Sequence, residues 1–281
     1  MFGEATMFLI DSHCHLDPKY APGGAEPILA RAKQVGVVGF MVIGVGDTLE
    51  PAEAAVGLAA TYPRSITAAV GVHPHDAQAL TEAMWTRLAE LAARPEVSCV
   101  GEIGLDYHYD HSPRAQQREV FARFIGLARS LRKPIVVHTR SAPEDTLELL
   151  ASEGARDVGG IIHCFSEDLP FAKKAVDMDF DVSFSGIVTF KNAKSVHETA
   201  KEIPLERVLV ETDSPYLAPI PFRGKPCEPA FVVHTAQKIA DLRGISLDVL
   251  ATATVQNTER RLRRTFDPTA TFGAHGQQGA S

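Results

Sequence analysis

SCVGEIGLDYHYDHSPRAQQREVFARFIGLARSLRKPIVVH, residues 98–138, holds one complete step of the architecture that runs through the whole chain. SCVGEIG (98–104) and PIVVH (134–138) are short, continuous apolar runs, the pattern of strands covered on both faces. Between them, residues 115–131 bring Val120, Phe121, Phe124, Ile125, Ala128 and Leu131 onto one face with charge opposite, which predicts an amphipathic helix.

The same alternation extends in both directions. MFLIDSH (7–13), VVGFMVIG (37–44), SITAAVGVH (65–73), GGIIHC (159–164), FDVSFS (180–185) and RVLVETD (207–213) complete a set of eight candidate strands. Helical patterns occupy 25–35, 84–93, 144–154, 168–177, 191–202, 229–243 and 246–264. Eight strands alternating with helices predict a single α/β domain over 7–266, a TIM or (β/α)8 barrel. A doubly wound open sheet shares the local alternation. Closure is favoured because chemically loaded residues end nearly every strand, whereas an open sheet gathers ligands at one switch point. The last segment, DPTATFGAHGQQGAS (267–281), has little to bury and is expected to be a disordered tail.

Composition excludes several classes of protein. An apolar share of 45% with 22% charged residues is globular, not disordered. Lys plus Arg (28) against Asp plus Glu (35) gives a net charge of −7, which excludes a generally basic coat for nucleic acid but not a local basic groove. No run approaches the roughly 18 apolar residues of a membrane span, and no basic n-region of a signal peptide opens the chain. Cys14, Cys99, Cys164 and Cys227 are widely spaced with no CxxC pair, so reduced thiols and a cytoplasmic location are expected.

The strand ends carry the chemistry. Strand alternation puts His13 and His15 on one face, able to hold one ion, with Cys14 on the other as a packed thiol. Glu102 interrupts an apolar run between glycines, and a buried carboxylate there needs a partner. Asp106 is expected to orient a ligand or cap a turn. His138 and His163 end two successive hydrophobic strands at the same edge, and Asp213 ends the eighth, with Glu211 nearer its middle and ranked below it. On one barrel these residues meet at the C-terminal rim, where sites of this fold form. Four imidazoles and two carboxylates without thiolate suit Zn²⁺, Mn²⁺, Fe²⁺ or Mg²⁺. Six donors exceed the three of one catalytic zinc, so a carboxylate-bridged pair of ions is expected.

With these residues stand the motifs Ile10-Asp11-Ser12-His13-Cys14-His15-Leu16-Asp17, Gly71-Val72-His73-Pro74, Gly101-Glu102-Ile103-Gly104-Leu105-Asp106, Pro134-Ile135-Val136-Val137-His138-Thr139-Arg140, His163-Cys164-Phe165-Ser166 and Glu211-Thr212-Asp213-Ser214-Pro215-Tyr216-Leu217. In order and spacing, from about residue 8 to 266, they resemble the TatD family of metal-dependent deoxyribonucleases. The resemblance implies a TIM barrel of the amidohydrolase-like superfamily and 3′→5′ exonuclease action on DNA ends with two divalent ions (Mg, Mn or Zn). It implies His13, His15 and Asp213 on one ion, His138 and His163 on the other, and Glu102 as the bridge. Asp213 would steer or deprotonate the attacking water, so Asp213 and Glu102 are the expected catalytic pair. Where family members often carry a basic residue and Asn, Pro226-Cys227 precede Glu228 here, which removes one positive charge beside the groove.

His73, Arg140, Arg223 and Lys225 are the expected substrate contacts, to the phosphates of a single-stranded DNA end. Arg260, Arg261, Arg263 and Arg264 are expected to be a solvated helix face beside a C-terminal dipole. Two other readings use the same residues. One is an ester, lactone or amide hydrolase, including one that removes a D-aminoacyl group from tRNA. The other is a metal-stabilised binding or scaffold protein, which the surplus of carboxylate and imidazole donors disfavours.

Overall fold

The computed structural model describes residues 7–272. Eight strands run in chain order as parallel neighbours: β1 (Leu9–Cys14), β2 (Val37–Gly44), β3 (Ile66–Val70), β4 (Val97–Asp106), β5 (Ile135–Arg140), β6 (Gly160–Ile162), β7 (Phe180–Phe184) and β8 (Val208–Val210). Backbone bonds bring β8 back to β1 and complete the TIM-barrel cylinder. Asp213 N–H donates to His13 O and His15 N–H to Ser214 O, both at 2.9 Å. At the same seam the buried Asp11 carboxylate accepts from Thr212 N (2.9 Å) and Thr212 Oγ1 (2.6 Å), side chain standing in for a strand carbonyl.

Around this sheet lie α1 (Glu26–Gln34), α2 (Glu50–Thr61), α3 (Glu82–Ala93), α4 (Arg114–Leu131), α5 (Pro143–Ser152), α6 (Leu169–Asp177), α7 (Lys194–Glu202), α8 (Val232–Arg243) and α9 (Leu247–Leu262). α2 has no counterpart among the helical patterns read from the sequence. EPAEAAVGLAAT is alanine-rich nearly all round, so it shows little amphipathic contrast although Ala52, Ala55, Val56 and Ala59 pack inward.

Two apolar layers follow from the strand pleat. Ile10, Met41, Ile43, Ala69, Cys99, Val136, Ile161 and Leu209 fill the barrel interior, one or two from each of seven strands. The outer layer, against the helices, holds Leu9, Cys14, Val100, Ile103 and Leu105, among others. Leu262, the last residue of α9, and Phe266, four residues beyond it, join the interior cluster and close the N-terminal end of the cylinder. The C-terminal end is left to polar side chains.

Which side chains reach that end depends on two bulges. On β1, Asp11 pairs with Phe40 and Cys14 with Val42, so three steps oppose two. On β4, Val100 pairs with Ile135 and Ile103 with Val137, the same mismatch. An extra residue reverses the inside–outside alternation beyond it. Ile10 and Cys99 face inward below the bulges, while Cys14 and Ile103 face outward above them. This reversal turns His13, His15, Glu102 and Asp106 toward the axis.

Gly101 (φ 148°) and Gly104 (φ 144°) carry the β4 distortion. Gly104 lies against the backbone of His138 so closely that a Cβ would clash with its carbonyl oxygen. Gly104→Ala is therefore expected to cost about 2–3 kcal/mol through strain and overpacking. Urea denaturation checks this, and an unchanged midpoint would show that the bulge does not need glycine.

Three expectations are corrected here. Asp213 does not end the eighth strand: β8 stops at Val210, and Asp213 lies three residues on with φ 57°, because the chain turns there so that Asp213 and Ser214 pair with His13 and His15. The arginines of α9 are not a uniformly solvated face. Arg261 is buried, its Nε donating to Asp181 Oδ2 at 2.7 Å, and Arg260 donates to Asp181 Oδ1 at 2.9 Å. A fully buried carboxylate draws them in. Residues 267–272 pack on the barrel: Asp267 N–H donates to Arg64 O, and the Phe272 ring meets Phe40 and Tyr62 edge-on at 5.7 and 5.4 Å. The rest of the expected tail, 273–281, lies outside the described residues.

Candidate metal centre

At the C-terminal rim the structure gathers His13, His15, Glu102, His138, His163 and Asp213, from five separate strand ends. Glu102 is the hub. Its Oε2 lies 3.4 Å from His13 Nε2. Its Oε1 lies 2.7 Å from His163 Nε2, 3.1 Å from His138 Nδ1 and 3.4 Å from His73 Nε2. On the β1 side, Asp213 Oδ1 stands 3.7 Å from His13 Nε2 and 3.6 Å from His15 Nε2. On the other side His163 Nε2 and His138 Nδ1 are 3.4 Å apart.

Among the described residues three groups of donors lie close enough to hold a cation: His13, His15 and Asp213; His13, Glu102 and His163; and His73, Glu102 and His138. His73, expected outside both ion shells, thus stands in the donor layer. His13 makes the strongest case that the residues fit a metal. It is fully buried, and neither ring nitrogen has a hydrogen-bond partner, although carboxylates lie on two sides of Nε2. A cation between them would satisfy the imidazole lone pair and both anions together.

The electrostatics agree. Burial opposes ionisation of Glu102, yet His163, His73, His13 and His138 together hold its carboxyl well below the usual range. Burial likewise works against Asp213, and His15, His13 and His163 bring its carboxyl below the ordinary value. Burial pushes His13 and His73 down, toward the neutral imidazole that ligates a metal.

A second ring of residues aims the first. His138 Nε2 lies 3.2 Å from Asp106 Oδ2, and that oxygen is 2.9 Å from His75 Nε2. Asp106 Oδ1 accepts from the backbone N–H of His108 and Tyr109. Glu211 Oε1 faces His163 Nδ1 at 3.3 Å and accepts Cys164 N–H at 2.7 Å. Asp11 accepts His13 N–H at 3.3 Å, and burial, against its hydrogen bonds to Thr212, pushes its carboxyl up to about 8. Of these, sequence reasoning gave no role to His75 or Asp11. The GVHPH repeat of the HxH spacing at 73 and 75 was the available signal for His75. None existed for Asp11, whose partner is 201 residues away.

Metal-orienting partners of this kind typically contribute 10–100-fold in affinity. Glu211→Gln is expected to weaken metal binding by about that factor while the barrel stays folded. Titration against a chromophoric chelator measures it, and unchanged affinity would show His163 to be held by packing alone.

The remaining expected contacts are dispersed. Arg140 is exposed, with its guanidinium 4.7 Å over the Tyr109 ring. Arg223 lies 4.1 Å over Phe190, and Lys225 5.9 Å over Phe222. None of the three contacts the donor cluster among the described residues. Cys14 is packed in the outer layer, its Sγ 3.6 Å from Met41 O. No helix among the described residues is long and apolar enough to cross a membrane.

Against this geometry, the sequence profile of TatD-related DNases matches residues 10–263. The chain is 42% identical over 255 residues to the Bacillus subtilis protein YabD, named an uncharacterized metal-dependent hydrolase, with 91% of this chain and 99% of that one covered. It is 41% identical to YcfH of Escherichia coli K12, which carries the same description, covering 90% of this chain and 95% of that one. Among solved structures, the TatD homologue YjjV of Escherichia coli K12 superposes with a TM-score of 0.82 at 26% identity, covering 90% of this chain and 97% of that one.

Proposed function

The chain belongs to the family of TatD-related DNases and is a metal-dependent hydrolase; from that premise we propose that its rim holds two divalent cations side by side and hydrolyses phosphodiester linkages at the 3′ ends of single-stranded DNA. The observation that carries this reading is the division of Glu102. One oxygen faces His13, which belongs to the group of His15 and Asp213, and the other faces His138 and His163. A carboxylate so shared is the geometry of a bridge between neighbouring ions.

Bound Mg, Mn or Zn supplies Lewis acidity at a phosphoryl oxygen and lowers the pKa of a water. The protein does the rest. Asp213, kept ionised by its histidines and adjoining the donors, is placed to take the proton of the attacking water. His73 borders Glu102, and Arg140 is the exposed last residue of β5, two after His138. In this reading His73 and Arg140 meet phosphoryl oxygens, and Arg223 and Lys225 meet those farther out along the strand. A local positive mouth suffices despite a net charge of −7, because exposed charges beyond about 8–10 Å are largely screened at physiological salt. Four free thiols, three of them buried, suit a cytoplasmic enzyme.

The test is a digest of 5′-labelled single-stranded DNA, with EDTA and metal add-back, beside RNA and aminoacyl and lactone esters. Stepwise shortening from the 3′ end, stopped by EDTA and restored by metal, is expected. Turnover of an ester with no phosphodiester cleaved at full metal occupancy would overturn the reading.

A further inference from the structure

Five large apolar side chains stand exposed among the described residues: Val35, Tyr109, Tyr216, Ile220 and Val249. Tyr109 and Tyr216 belong to the rim loops that follow β4 and β8. In a ring of eight strands, β4 and β8 are four places apart, so these loops face each other across the mouth.

Each ring is tied to the donor cluster. Tyr216 and Tyr20 share a 2.5 Å contact between their hydroxyls, and both rings meet His15 edge-on, at 6.1 and 5.8 Å. Tyr109 lies edge-on to His75 at 5.4 Å, and His75 reaches His138 through Asp106. Cations stand close by: Arg140 lies over the Tyr109 ring, and Lys19 lies 5.0 Å over Tyr20, the hydroxyl partner of Tyr216. His111 continues the Tyr109 platform, parallel to within 4° at 5.5 Å. Exposed aromatic faces beside cations are what single-stranded nucleic acid binds, since every base has a π face and every linkage a negative charge.

We propose that Tyr216 and Tyr109 are the specificity-determining side chains of the mouth, stacking the bases on either side of the linkage held at the donor cluster. The inference rests on the phosphodiesterase reading above. Two flat groups around one linkage make the substrate an unpaired end, because stacking on the protein requires bases freed from their partners. An ester with no base on either side would lose both platforms.

The test couples changes in protein and substrate. Tyr216→Leu and Tyr109→Leu remove each ring, while Tyr216→Phe and Tyr109→Phe keep it. Substrates are labelled single-stranded DNA with either an intact 3′ end or one abasic residue on one or the other side of the terminal linkage. Metal content is measured for every variant. Each Leu variant is expected to lose about tenfold to a hundredfold in kcat/KM on the intact end, mainly through KM. The Phe variants should keep most of it. The loss should largely vanish on one of the two abasic substrates, a different one for each tyrosine. Equal losses on intact and abasic ends, or none on either, would overturn the inference while leaving the phosphodiesterase reading standing. A wild type that cuts no DNA would overturn both.

Discussion

Glu102→Gln is expected to reduce bound metal from two ions per chain to one or none and to lower turnover by at least about 10²–10³-fold. The amide offers one neutral oxygen where the carboxylate presents two charged ones to four imidazoles. Elemental analysis with turnover measures it. Two ions and near-normal turnover would remove Glu102 from the bridge.

The same substitution has a consequence in metal-free protein. Glu102 is held well below its ordinary range and His163 well above its own, each chiefly opposed by burial and favoured by the other. A depressed carboxyl contributes stability above its unfolded pKa and loses it as pH falls through the folded value. A raised imidazole contributes below its unfolded pKa and loses it as pH rises through the folded value. The pair is therefore at full strength between about pH 4.5 and 6.5. In EDTA, wild type should exceed Glu102→Gln in Tm most within that window, and a difference independent of pH would refute the pairing.

Asp213→Asn is expected to leave fold and most of the metal in place while lowering turnover by about 10²–10⁴-fold, the contribution of a positioned base. His13, His15 and Glu102 still offer donors on that side, but an amide cannot take a proton from water. Wild-type turnover would remove Asp213 from the chemistry. A loss that tracks metal loss would assign it to holding the ion instead.

Five of the centre's residues, His13, His15, Glu102, His138 and His163, were legible in the sequence because each lies in a recognisable strand or at its end. His138 closes PIVVH, and His163 follows GGII. The positions of His73 and Asp213 were less so. His73 reaches Glu102 although no local pattern joins them, and Asp213 lies beyond its strand in a turn that pairs with β1. The α9 arginines read as surface because a run of cations at a helix end usually is. Asp181, 79 and 80 residues before the two that bind it, made the difference.

The sequence by itself determined the alternation of buried strands with helices, the number of strands, and the residue types at the strand ends, since each of these is local in the chain. The tertiary structure alone decided which way those residues face. Period-two reasoning holds only within an unbroken ladder, and the bulges on β1 and β4 are mismatches between two strands, visible only once both are paired. It also decided that Glu102 divides its oxygens between two groups of histidines, because that sharing is a property of five chain segments meeting at one point.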